Sequence, residues 1–133
     1  MKTMRNFNIV KLDSKGRLLV PFHIRQHVGL DRNVELLIVN NGTKELRLFP
    51  LIPGKSARID VVMKDAPGAL ASVMNIIAGS NIDILMSESK TVEKGKIASW
   101  SAIVDTTACS DIAKLKKNLK ALGIVESAEV MKK

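Results

Sequence analysis

The chain has 133 residues, 46% of them hydrophobic, with one cysteine and a net charge of +8 from 21 Lys and Arg against 13 Asp and Glu. That size suits one globular domain or two very small ones, and a lone cysteine excludes a framework of intrachain disulfides. No apolar run approaches the roughly 20 residues of a membrane-crossing helix and no secretory signal is legible, so a cytoplasmic protein with no membrane partner is expected.

The charge is uneven along the chain. Residues 1–56 hold ten Lys and Arg against four Asp and Glu, a net +6, whereas residues 57–133 hold eleven against nine, a net +2. A basic half joined to a nearly balanced one points to a polyanion reader attached to a module with another task.

In chain order, residues 7–12 and 17–20 are apolar and β-branched enough to pair as strands, with Asp13, Ser14, Lys15 and Gly16 as the hairpin loop. Pro21 fits the first turn of a short helix, Ile24 and Val28 share one of its faces, and Gly29 is placed to end it. A second hairpin pairs residues 34–39 with 45–49 around Asn41-Gly42, where both residues tolerate the positive φ of a type I′ turn. A segment of this size buries only about 60% of its unfolded surface. Pairing into a homodimer or higher assembly is the expected remedy.

The order of hairpin, VPFHIRQHVGL and hairpin, with DSKGR at the first tip, resembles the AbrB-type swapped-hairpin DNA-binding domain of prokaryotic transition-state regulators and related antitoxins. The resemblance implies a β-barrel-like dimerisation domain over residues 1–52 in which two chains interleave their hairpins, with duplex DNA as partner. Lys11, Arg17 and Arg25 match the family's contact positions. Lys15 at the tip and Arg5 upstream are added as phosphate contacts on charge and placement.

Residues 49–56, FPLIPGKS, read as a linker, because Pro50 and Pro53 oppose a continuing central strand. Beyond it, Ile59, Val61 and Met63 alternate with polar residues as in a half-buried strand. Asp65 and Pro67 signal a helix start, Leu70, Val73, Met74 and Ile77 share a face, and Gly79 is expected to stop that helix. Residues 82–92 and 96–105 read as strands, Ser110 as the cap of a helix with Ile112, Leu115, Leu119 and Leu122 inward, Gly123 as its stop, and residues 124–131 as a last strand. Lys114, Lys116, Lys117 and Lys120 fall mostly on its solvated side. The order βαββαβ is ferredoxin-like, and the fold class of the chain is α+β.

KDAPGAL at 64–70, followed by NIDI from Asn81, resembles the ACT domain, a small regulatory module, over residues 57–133. The residues carry a physical reading of their own. A helix first turn offers unpaired N–H groups to a carboxylate, Asp65 can accept from an amino group, and Asn81 offers both donor and acceptor. A zwitterion would suit them. Asp65, Ala66, Pro67, Gly68, Ala69, Leu70, Asn81 and Ile82 are therefore the candidate ligand contacts. The resemblance implies a small-molecule effector, commonly an amino acid, held where the strand-to-helix loop of one module faces the Asn81 region of another. An assembly module without ligand is the alternative.

Other residues invite plainer readings. His23 and His27 lack a third ligand, so no metal is expected. Cys109 reads as structural, and Trp100, Met63, Met74 and Met86 as core or interface. With no nucleophile elbow, phosphate-binding glycine loop or acid and base pair, neither an enzyme nor a cofactor is expected. The expectation is a DNA-binding transcriptional regulator with a metabolite-sensing module. Its rivals are an antitoxin-like partner of a toxin and a regulatory subunit bound to a metabolic enzyme.

Overall fold

In the computed structural model, which describes residues 7–30 and 32–132, the chain divides after Glu35 into units Met1–Glu35 and Leu36–Lys133. This division leaves the second hairpin with the larger unit, whereas the sequence groups it with the first.

The regular element of the first unit is α1, Phe22–Val28. Pro21 is its N-cap, with φ −56° and ψ 144°, and its carbonyl accepts from the amides of Ile24 at 3.1 Å and Arg25 at 3.0 Å. Gly29 closes it in the left-handed region at φ 83°, where its amide and that of Leu30 both donate to the Arg25 carbonyl. The strands expected at 7–12 and 17–20 do not form. Their place is taken by a turn in which the Asp13 amide donates to the Arg17 carbonyl at 2.9 Å and the Gly16 amide to the Asp13 carbonyl at 3.0 Å. An isolated two-stranded hairpin is marginal without a cover for its apolar face. Here Phe7, Ile9 and Leu19 stay 76%, 92% and 75% exposed.

The second hairpin pairs β1, Glu35–Val39, with β2, Arg47–Leu51, in a two-stranded sheet. Its turn is not type I′, because Gly42 takes a positive φ and Asn41 does not. Asn40 organises the turn instead, donating from Nδ2 to the carbonyls of Thr43 and Glu45 and accepting the Gly42 amide at 3.2 Å. The strand also runs through Pro50 to a buried Leu51, so the expected linker shrinks to a turn at residues 52–55. Each strand of a two-stranded sheet has one unpaired edge, where proline is tolerated.

The rest forms β3 (Ser56–Lys64), α2 (Ala69–Ala78), β4 (Asp83–Glu93), β5 (Ile97–Asp105), α3 (Ile112–Ala121) and β6 (Val125–Lys132). The sheet order is β4-β5-β3-β6 with antiparallel neighbours, the ferredoxin-like arrangement. Alternation along β3 sends Ile59, Val61 and Met63 into a core with Trp100, Val104, Val73, Ile77, Leu115 and Leu119. Each large apolar side chain fully buried there contributes about 1.5–3 kcal/mol. Met63 and Trp100 are in that core and Met74 packs against it. Met86 lies outside it, half-buried and in register with Ile103.

The expected cap and stop of α3 each move by one residue, whereas α2 ends at Gly79 as expected. Asp111, not Ser110, caps α3, its Oδ1 accepting the Lys114 amide at 3.0 Å. Leu122 ends that helix in extended conformation without using Gly123. After α2, Gly79 keeps right-handed angles and Asn81 takes the left-handed position at φ 55°. Asn is among the few non-glycine residues that visit this region routinely.

Candidate functional site

In the first unit Asp13 is the hub of the basic tip. Its Oδ1 accepts the amides of Lys15 and Arg17, both at 2.9 Å, and its Oδ2 accepts Nε of Arg17 at 2.8 Å. These bonds, led by the Arg17 amide and then its guanidinium, hold the Asp13 carboxyl below its ordinary range. Lys11, Lys15 and Arg17 are exposed, as a phosphate contact requires. Arg25 is half-buried, donating Nε to the Val20 carbonyl at 3.0 Å and lying 5.5 Å above the Phe22 ring. Arg5 falls outside the described residues. Asp13 was expected in this loop, and beyond that it organises it, as a loop carboxylate that accepts backbone amides two and four residues on can do.

In the second unit the strand-to-helix loop is tightly tied. The Asp65 amide donates to the Lys96 carbonyl at 3.1 Å, and Asp65 Oδ2 accepts the Gly95 amide at 2.8 Å, fastening the loop to the tip of the β4–β5 hairpin. Gly68 stands at the helix start with φ 81° and ψ −7°, so its absent side chain serves the backbone conformation first. The Gly68 carbonyl accepts both the amide and the hydroxyl of Ser72 at 3.0 Å.

Asp65, Ala66, Ala69 and Leu70 meet at a cleft of about 180 Å³, together with Lys64, Lys90 and the hydroxyl residues Ser89, Thr91 and Ser99. Pro67 and Gly68 lie in the same loop but do not line it. Asn81 and Ile82 line a different cleft with Asp83, Asp105 and Thr107. The two clefts flank opposite ends of α2, a helix of 10 residues, hence roughly 15 Å long. Within one chain the candidate contacts therefore form two groups. Ser89 and Thr91 were not legible as site residues, because the exact register Ser89↔Trp100 and Thr91↔Ala98 that brings them to the cleft depends on an irregularity of the β4–β5 hairpin between Thr91 and Glu93 that the strand pattern does not fix.

The open face of the sheet carries a polar cluster. Asp60 accepts the Ser101 hydroxyl at 2.6 Å and Arg58 Nε at 3.0 Å. Burial works against the Asp60 carboxylate, but the Ser101 and Arg58 bonds together outweigh it and leave its pKa below the ordinary value. Among the described residues no group of three His, Cys, Asp or Glu is arranged to hold a metal, and no helix is long and apolar enough to cross a membrane.

A family model described as the ACT domain matches residues 56–129. No curated protein matches the chain.

Proposed function

The chain belongs to the ACT domain family through residues 56–129, and we propose that it is a transcriptional regulator whose first unit binds duplex DNA as a dimer while the ACT domain senses a small molecule, an amino acid. The observation that carries the DNA half is the concentration of exposed Lys11, Lys15 and Arg17 on a tip that also leaves Phe7, Ile9 and Leu19 uncovered. The cations suit phosphates, and the apolar residues suit a second copy, as the AbrB-type resemblance implies. For the sensor half, the cleft at the start of α2 offers amide and hydroxyl donors to a carboxylate. The groups around Asn81, Asp83 and Asp105 on another copy supply acceptors for an ammonium group. The ligand acts by binding one assembly or orientation better than another, since equal affinity for both shifts nothing.

The test is duplex binding by the full chain at low and moderate salt, with and without each of the twenty amino acids, for wild type and Arg17→Ala. We expect binding that weakens with salt, a loss of roughly tenfold or more in the variant, and at least one amino acid that raises the melting temperature and alters DNA affinity. No binding at low salt, or equal affinity in the variant, rules out the DNA half. No melting shift with any amino acid rules out the sensor half. The same uncovered apolar residues also suit a protein partner, the antitoxin-like or enzyme-subunit reading, which a stable complex co-purified from the native host without DNA affinity would favour.

A further inference from the structure

The outer face of α3 carries cations that neither the core nor the sensing role uses. Burial of Leu115 and Leu119, 1% and 0% exposed, turns Ala113, Lys114, Lys117, Lys120 and Ala121 outward. At the helical repeat these five positions span an arc of about 120° opposite the two leucines. No acid interrupts it. Among the described residues Lys114, Lys117 and Lys120 enter no ion pair, whereas Lys116, nearer the sheet, reaches Glu129 at 3.5 Å.

Helix electrostatics does not account for this face. Lys120 stands in the last turn and complements the negative end of the helix dipole. Lys114 stands in the first turn, near the positive end, where a cation is unfavourable. Lys114 with Lys117, and Lys117 with Lys120, are like charges three residues apart, and such pairs repel. Solubility would be served as well by interspersed glutamates. Instead Ala113 and Ala121 leave the lysines standing clear of a slim helix. A face of one sign that costs the helix stability suits a polyanion brought close along it.

We propose that this lysine face is a second contact for duplex DNA, so that the ACT domain itself touches the nucleic acid. The inference rests on the DNA-binding reading of the first unit. Duplex is favoured over an anionic lipid surface because the exposed arc holds alanine and no large apolar side chain to insert among lipids.

The experiment measures affinity of the full chain for a mixed-sequence duplex of about 30 base pairs across roughly 50–200 mM salt. It compares wild type, Arg17→Ala, the single Lys117→Gln and the triple Lys114→Gln, Lys117→Gln, Lys120→Gln. Glutamine keeps helix propensity, and thermal melts check the fold. The triple variant is expected to lower the slope of log affinity against log salt by about 2–3 and the single by about 1, because each phosphate contact contributes nearly one unit. If Arg17→Ala weakens binding while neither lysine variant changes the slope, the first-unit reading stands and this inference falls. Absence of wild-type binding at low salt overturns both. Loss of sedimentation with phosphatidylserine vesicles, at an unchanged DNA slope, overturns it in favour of a membrane.

Discussion

Asp65 spends one carboxylate oxygen on the Gly95 amide, so its first task is to hold a hairpin tip against the loop that precedes α2. A ligand that needs Asp65 therefore meets a group already oriented by its own fold. Asp60 is oriented in the same manner, by Ser101 and Arg58, and its depressed pKa has a sign that can be followed. A carboxyl whose folded pKa is below its unfolded value adds stability above the unfolded value, and that stability is lost as pH falls through the folded one. The window for Asp60 thus opens near 3.8 and extends below it. Chemical denaturation of wild type and Asp60→Asn between about pH 5 and 2 is expected to show the steeper acid loss in wild type. Equal slopes would remove Asp60 from the account. Asp13 and Asp105 carry shifts of the same direction and add to the acid loss of both proteins.

Among the elements, α3 depends most on a single capping bond. Asp111 satisfies the Lys114 amide, and its carboxylate also favours the positive end of the helix. Asp111→Ala is expected to cost about 1 kcal/mol, read as a lower denaturant midpoint at unchanged slope, whereas Ser110→Ala should cost little. The reverse ranking would return the cap to Ser110. The misplacement has a simple cause: Ser110 and Asp111 are adjacent and both are good caps, so only backbone angles separate them. Elsewhere the βαββαβ order was legible from period alone, since Ile59, Val61 and Met63 alternate and Leu115 and Leu119 recur at four residues. The 64–70 loop was legible because Asp, Pro and Gly each punctuate a helix start. What sequence could not supply was pairing at a distance. The Asp65–Gly95 bond spans 30 positions, and closer by, the cleft-lining hydroxyls depend on a register shift between Thr91 and Glu93 that residue pattern alone does not set. The tip strands failed for a related reason, because their apolar pattern promises a sheet that the hairpin alone does not complete.

At the scale of the molecule, the two units solve the burial problem unequally. The larger has its own core, while no residue of α1 is buried and Leu12, Leu18 and Phe22 join the uncovered apolar residues of the smaller. Each such side chain covered on association contributes about 1.5–3 kcal/mol, so removing one should raise the dissociation constant roughly tenfold or more. Sedimentation of the full chain at rising concentration is expected to show self-association that Leu19→Ser weakens. A monomer throughout, in wild type, would exclude it.

One pairing in the larger unit has a mechanical side. Ala57, near the start of β3, is in register with Lys132 at the end of β6, so the first and last strands of the ACT domain have adjoining ends. Tension applied at those two points opens the β3–β6 ladder rung by rung, like a zip, instead of shearing every rung at once. The domain is compliant along that line of pull, while β3 stays clasped by β5 on its other flank.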